Sequence, residues 1–232
     1  MTLFEQYNFV SFILNKDYAG NVVKPDKFKE VVKVINQELF NIMMGLPEGF
    51  APGQPIPQMS FDLTKLLNAE TRFLREYESA QAVAAGVIAI PSGFFMVDTI
   101  RFGYQRSIDG VATTLYRPVE ELTEREYSDR AGNYTKQLTQ KNPGYVLRND
   151  GIYIYPTTIS QVQFSYIRFP VTPVFDYTLG TGTITEGPSP VEYEWGENLH
   201  PKLTWMIVNY FAKHIKEDDL TQYAEMYKAQ GV

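Results

Sequence analysis

The hydrophobic pattern changes twice along the chain, and this order constrains the fold more than any other feature. Apolar residues recur at helical spacing near both ends, whereas the middle contains short β-branched and aromatic runs bounded by turn residues. The apolar faces at both ends must be buried, and packing the terminal helices together achieves this most simply. The sequence therefore predicts an α+β fold: a helical bundle of N- and C-terminal helices (1–58 and 196–232) with an inserted antiparallel β lobe (59–195).

The helical segments have recognisable limits. Residues 3–16 form the first, and Pro25 opens a second whose apolar residues repeat in steps of three and four up to Gly45. Dense proline and glycine over 46–58 end this helical region. The helical period returns over 201–215, and Asp218 or Asp219 can cap a last helix.

The central region is predicted to form strands with turns between them. Six runs have strand character: 87–90, 94–104, 111–116, 145–148, 152–155 and 162–169. Asn149, Asp150 and Gly151 accept positive φ, so they predict a tight hairpin. A short helix over 119–130, opened by Pro118 and carrying Glu120 and Glu121 in its first turn, is expected to interrupt the sheet.

Two segments leave alternatives open. Residues 62–77 are compatible with one helix or with a turn that leads into a strand. Residues 178–190 are rich in Gly, Thr and Pro, which fits an exposed loop or a protruding hairpin.

Composition excludes several classes of function. The chain has no cysteine, so disulfides, thiolate catalysis and cysteine zinc sites are ruled out. Its 27 acidic and 21 basic residues argue against a surface that holds phosphate backbones. The longest apolar run near the N-terminus is too short for a signal sequence or a membrane span, so we expect neither secretion by that route nor a membrane anchor.

No constellation of residues predicts catalysis or a bound metal. His200 and His214 would lie roughly 21 Å apart along one helix, too far to share an ion. Glu192 and Glu194 share a strand-like stretch, but two glutamates at this spacing are common by chance. We therefore expect a protein that is not an enzyme and has no cofactor.

Three stretches resemble the connector proteins of tailed bacteriophages. Residues 87–100 resemble a segment of those connector proteins in which a hydrophobic strand is followed by a proline, a polar turn and a second strand. Residues 151–156 end in I-x-P, and 162–173 follow the pattern V-x-x-x-Y-x-R-x-P-x-x-P of the later strand pair. The segment 201–226 resembles the closing helices of that group, which includes the tail tubular adaptors and the crAss-like phage ring proteins.

The resemblance implies a structural virion protein. It would be a ring-forming head-to-tail connector, a neck or adaptor subunit that bridges portal and tail and lines a DNA channel. The implied partners are copies of itself in a twelvefold ring, the portal protein and adjacent tail or neck rings. DNA would pass through without specific binding. The implied location is the neck or tail of the virion, after assembly in the host bacterial cytoplasm.

A connector needs a channel that does not hold DNA and ends that dock on neighbouring rings. A positive lumen would bind the phosphate backbone, so carboxylates are expected to face the channel. The acidic candidates are Glu120, Glu121, Glu217, Asp218 and Glu225. The docking candidates for the portal or the next ring are Tyr223, Tyr227 and Val232.

Two other classes of function stay open. A carbohydrate-binding or adhesion module would use surface aromatic residues, which the strands supply as Tyr153, Tyr155, Phe164, Tyr166 and Phe169. A hydrolase would use carboxylates, for which the sequence offers no supporting motif.

Overall fold

The computed structural model describes residues 1–15, 23–44, 71–108, 111–181 and 183–215. The described elements, in chain order, are α1 (Leu3–Asn15), α2 (Pro25–Met43), β1 (Arg75–Ala82), β2 (Val87–Ile88), β3 (Phe94–Ile108), β4 (Val111–Pro118), β5 (Glu120–Glu121), α3 (Glu124–Ala131), β6 (Gly144–Arg148), β7 (Gly151–Tyr155), β8 (Gln161–Arg168), β9 (Tyr177–Leu179), β10 (Ile184–Glu186) and α4 (His200–Ile215). Short 3-10 turns precede β1 and α4. The chain has the predicted α+β fold.

The chain divides into two compact units. A helical unit contains Met1–Phe73 and Pro170–Val232, and a β unit contains Leu74–Phe169. The β unit is thus an insertion between two parts of the helical unit. The predicted helices at 3–16, 25–45 and 201–215 are confirmed as α1, α2 and α4.

In the helical unit, α1 and α2 each pack against α4. Pro25 occupies the first turn of α2, where its missing N–H costs nothing. The buried side of α2 carries Phe28, Val32, Ile35 and Leu39, which recur at helical spacing. This periodicity is the signal that predicted the helix.

The segment 170–195 belongs to the helical unit, although the sequence placed it in the β lobe. Its side chains fill the space between the helices: the Phe175 ring lies 5.1 Å from that of Tyr7 and 5.0 Å from that of Phe28. The Trp195 indole N–H donates to the Asn36 carboxamide oxygen at 2.7 Å. Short strands β9 and β10 pair within this segment, so of the two alternatives for 178–190 the hairpin is confirmed.

The β unit consists of two four-stranded sheets that share one core. Their strand orders are β1-β8-β3-β4 and β2-β7-β6-β5. Ile100 and Phe164 of the first sheet lie in the same buried cluster as Ile152 and Ile154 of the second. All pairs are antiparallel except the two-residue pair of β5 with β6.

The tight turn with positive φ lies elsewhere than the sequence predicted. Strands β6 and β7 form the predicted hairpin with Arg148 opposite Gly151, but none of residues 149–151 has positive φ. Positive φ occurs instead at Ala85 (52°) and Gly86 (85°), between the bridged residues 84 and 87. Gly151 serves close packing, since a Cβ there would come within 2.7 Å of Val87 Cγ1.

Helix α3 begins later than predicted. Glu120 and Glu121 belong to β5, beside Gly144 and Tyr145 of β6, and do not form a first helical turn. The helix starts after Thr123, whose hydroxyl accepts from the Glu126 N–H while the Glu126 carboxylate accepts from the Thr123 N–H. This capping box was visible in the sequence as T-x-x-E.

Candidate protein-interaction surfaces

Helix α1 presents two phenylalanines to solvent. Its inner side is buried through residues such as Val10, while Phe9 is 43% and Phe12 71% exposed. Three residues apart on a helix, these rings lie on neighbouring positions of one side. We call this surface the Phe9–Phe12 face. An exposed pair of large aromatic side chains is typical of surfaces that other proteins cover.

Hydrogen bonds hold α1 in place beneath that face. The Gln6 amide donates to the Thr204 hydroxyl of α4 at 2.9 Å and accepts from the Tyr193 hydroxyl at 3.1 Å. Burial raises the pKa of the Tyr193 phenol further above neutral pH, where an ordinary tyrosine is already protonated and able to donate. The Phe9–Phe12 face is therefore carried by a helix fixed to the core.

The glutamate pair considered for catalysis has structural contacts. Glu192 accepts from the Leu3 N–H at 2.8 Å, at the start of α1. Glu194 accepts from the Val171 N–H at 2.7 Å. Both carboxylates thus satisfy backbone donors in the helical unit, which accounts for two acidic residues on either side of the half-buried Tyr193.

A two-stranded ribbon extends from the first sheet of the β unit. Strand β3 pairs with β8 over residues 94–101 and with β4 over residues 101–108. Among the described residues, 103–108 and 111–116 thus pair only with each other, and we call these two strand segments the ribbon. Two-stranded hairpins are marginally stable alone, so such a segment gains from a covering partner.

The two edges of this sheet differ in charge. Strand β4 has no charged residue from Val111 to Tyr116 and pairs with β3 without a bulge. Strand β1, at the opposite edge, carries Glu76 and Glu78 and has a bulge. Charges and bulges discourage edge pairing, so β4 is the more receptive edge for another chain.

Of the predicted channel residues, only Glu120 and Glu121 lie within the described chain. Glu120 forms a bidentate ion pair with Arg130, with both oxygens 2.7 Å from guanidinium nitrogens. Glu121 accepts from the Tyr145 hydroxyl at 3.1 Å. Both carboxylates therefore tie β5 to its neighbours. Glu217, Asp218, Glu225, Tyr223, Tyr227 and Val232 lie outside the described residues.

We expect Glu120 to titrate below the usual glutamate range, because its hydrogen bonds to Arg130 lower its pKa. A lowered carboxyl pKa stabilises the fold above the unfolded pKa, and this stabilisation is lost as pH falls through the folded value. NMR titration of Arg130→Gln should return the Glu120 pKa towards normal. The pKa of Glu126 is the internal control: hydrogen bonds from Thr123 are the main causes that lower it and the charge of Arg130 contributes less, so it should stay below the usual range. An unchanged Glu120 pKa in the variant would contradict the pairing.

Four of the five aromatic residues first considered for sugar binding are engaged within the β unit, while Phe169 is 40% exposed although its ring lies 5.1 Å from that of Phe95. Phe164 and Tyr166 lie in its core. Tyr155 stacks on Tyr127 with ring centroids 4.2 Å apart. Tyr153 donates to Asp150 at 2.6 Å. Among the tyrosines that the structure describes, the most exposed are Tyr77, Tyr116 and Tyr134, which the sequence analysis did not single out.

The described residues offer neither a metal site nor a membrane-spanning helix. No group of three or more His, Asp or Glu side chains in that part of the chain could hold a metal ion. No helix among the described elements combines the length and apolar character needed to cross a bilayer.

Net charge is unevenly divided between the units. The β unit's sequence, 74–169, contains ten basic and ten acidic residues, while the rest of the chain contains 11 basic and 17 acidic residues. The whole net charge of −6 therefore belongs to the sequence of the helical unit.

No protein-family model matches the chain, and a search of curated proteins gives no match. Fold and surface chemistry define the class: an α+β protein with a helical unit, an inserted two-sheet β unit and exposed apolar side chains on α1.

Proposed function

We propose that the chain is a structural subunit of a tailed-phage connector, a ring that bridges portal and tail and surrounds the DNA channel. The observation that carries the proposal is the Phe9–Phe12 face, an apolar surface on a helix that is fixed to the core. Burying an aromatic or large aliphatic side chain stabilises association by about 1.5–3 kcal/mol. The chain would act through contacts between proteins, without catalysis.

A ring needs a contact in which one surface of each copy meets a different surface of the next. The Phe9–Phe12 face is a candidate for one side of that contact. The receptive β4 edge of the ribbon is a second surface, available to the next copy or to an adjacent ring. The twelvefold number and the portal partner come from the resemblance of the sequence to connector proteins.

The distribution of charge supports a DNA channel. A lumen formed by the helical unit would carry net negative charge and would repel the phosphate backbone, so DNA could slide without binding. Of the acidic candidates, Glu120 is paired with Arg130, which makes it a weaker source of repulsion than an unpaired carboxylate. The carboxylates at 217, 218 and 225 belong to the acidic unit's sequence.

Phe12→Asp is expected to weaken assembly strongly, because it removes an apolar contact and would bury a carboxylate. We expect the wild-type protein to form rings alone or stacks with a portal protein from the same genome. The variant should weaken association by roughly 100-fold, the equivalent of about 2.7 kcal/mol. Native mass spectrometry and negative-stain imaging measure the assembly of the wild type and of the variant.

Val34→Asp is the matched control, since it replaces a 56% exposed apolar side chain of α2, outside the Phe9–Phe12 face, by the same carboxylate. It should assemble like the wild type. A wild-type protein that stays monomeric and ignores the portal would refute the proposal, as would full assembly of Phe12→Asp.

A further inference from the structure

A polar cleft of about 330 Å³ lies in the β unit at the base of the ribbon. Its lining includes three glutamines, several Ser and Thr hydroxyls and one exposed tyrosine. The lining includes Gly103, Tyr116, Gln161 and Gln163. Among the described lining residues none carries a charge.

Tyr116 forms a flat aromatic wall beside this cleft. It is paired with Gly103 across the ribbon, and a Cβ on Gly103 would lie only 3.1 Å from Tyr116 Cε1. The tyrosine ring therefore lies across the glycine, which leaves room for it. The side chain is nonetheless 52% exposed, so much of the ring is open to solvent.

The register places amide groups on the same side of the sheet. Gln163 is opposite Arg101, two residues from Gly103 on β3, and Gln161 follows with the same parity on β8. Side chains two residues apart in a strand point to one face. A carboxamide offers both donors and acceptors, and so does a sugar hydroxyl.

We propose that this cleft binds a neutral oligosaccharide. An apolar face of a sugar ring would rest on the Tyr116 ring, and its hydroxyls would exchange hydrogen bonds with Gln161 and Gln163. The lining carries no charge of its own, which favours a neutral ligand over a phosphate or carboxylate. Arg101 is opposite Gln163 on the same face of the sheet, so charged probes are needed to test that preference. The volume is in the range of small-ligand sites and suits a short oligosaccharide.

Pairing of an aromatic ring with a strand glycine also stabilises a hairpin, so the experiment must separate the two roles of Tyr116. Saturation-transfer NMR of the full chain with maltotriose, cellotriose and chitotriose tests binding, with sialyllactose and a dinucleotide as charged probes. We expect at least one neutral trisaccharide to bind and the charged probes to bind more weakly. Tyr116→Ala should weaken binding by about tenfold or more, while Tyr116→Phe should retain it.

Two further variants keep the test decisive if Tyr116→Ala disturbs the ribbon. Gln163→Leu leaves the ring in place and should also weaken binding, because it removes the amide. Tyr134→Ala is the matched control: this tyrosine is 95% exposed, lies outside the cleft lining and should be replaceable without effect. Binding by none of the neutral sugars would overturn the proposal, and so would equal binding by wild type, Tyr116→Ala and Gln163→Leu. Ring assembly is measured separately, so either proposal can fail alone.

Discussion

Replacing Phe175 by alanine should destabilise the helical unit by about 3–5 kcal/mol. The ring is 1% exposed and contacts the rings of Tyr7 and Phe28, so the substitution leaves a cavity between helices α1 and α2. A loss of this size is comparable with the total stability of many domains.

Tryptophan fluorescence in urea measures this effect selectively. The only two tryptophans, Trp195 and Trp205, both belong to the helical unit, so their signal reports its unfolding. Phe12→Ala is the control, since the same truncation at a 71% exposed position should change stability by less than about 0.5 kcal/mol. Equal effects of the two substitutions would contradict the packing described for Phe175.

Gly151→Ala should destabilise the β unit by about 1–3 kcal/mol. A Cβ at this position would lie 2.7 Å from Val87 Cγ1 and 3.1 Å from the Ile88 carbonyl oxygen, so β2 must move away from β7. The backbone oxygen cannot adjust as a flexible side chain could.

Hydrogen exchange of the Ile152 and Ile154 amides of β7 reports on this change, while tryptophan fluorescence should move little. Gly132→Ala makes the same chemical change at a position with φ −84° and its nearest atom, Ser128 O, at 3.7 Å. It should be neutral or stabilise by up to about 1 kcal/mol. If Gly132→Ala lowered the protection of these amides, or if Gly151→Ala left their protection unchanged, the close approach of β2 would not be the reason for glycine at 151.

Periodicity predicted the elements whose buried faces are regular. Helix α2 and strand β8 each repeat their apolar residues with the period of their structure, and both were found from sequence. Strand β1 has no such signal, because it is exposed over nearly its whole length and reads as polar. Pairing with β8, a contact distant in sequence, determines its conformation.

The boundary between the helical unit and the β unit could not be predicted from periodicity. Residues 170–195 have little helical character, so the sequence grouped them with the strands. Phe175 and Trp195 nevertheless fill the helical core, and the partner of Trp195 is Asn36, a polar residue on the apolar side of α2. A single side-chain pair of this kind adds no periodic pattern of apolar residues to the sequence.

The candidate surfaces were only partly predictable. Sequence reasoning expected exposed aromatic residues but chose those of the strands 152–155 and 162–169, of which all but Phe169 are engaged by packing or hydrogen bonds. Phe9 and Phe12 lay within a recognised helix, and a plot of its two sides would have placed them opposite Val10 and Leu14. The position of Tyr116 across Gly103 required the register of β3 and β4, which hairpin length alone does not give.

The insertion of the β unit sets an order for events on the ribosome. Helices α1 and α2 emerge first, but α4, against which both pack, follows about 160 residues later. At ~5–20 residues per second the nascent helices wait roughly 10–30 s for it, long enough for the intervening strands to fold. During that interval the apolar sides of both helices lack the helix that covers them in the folded protein.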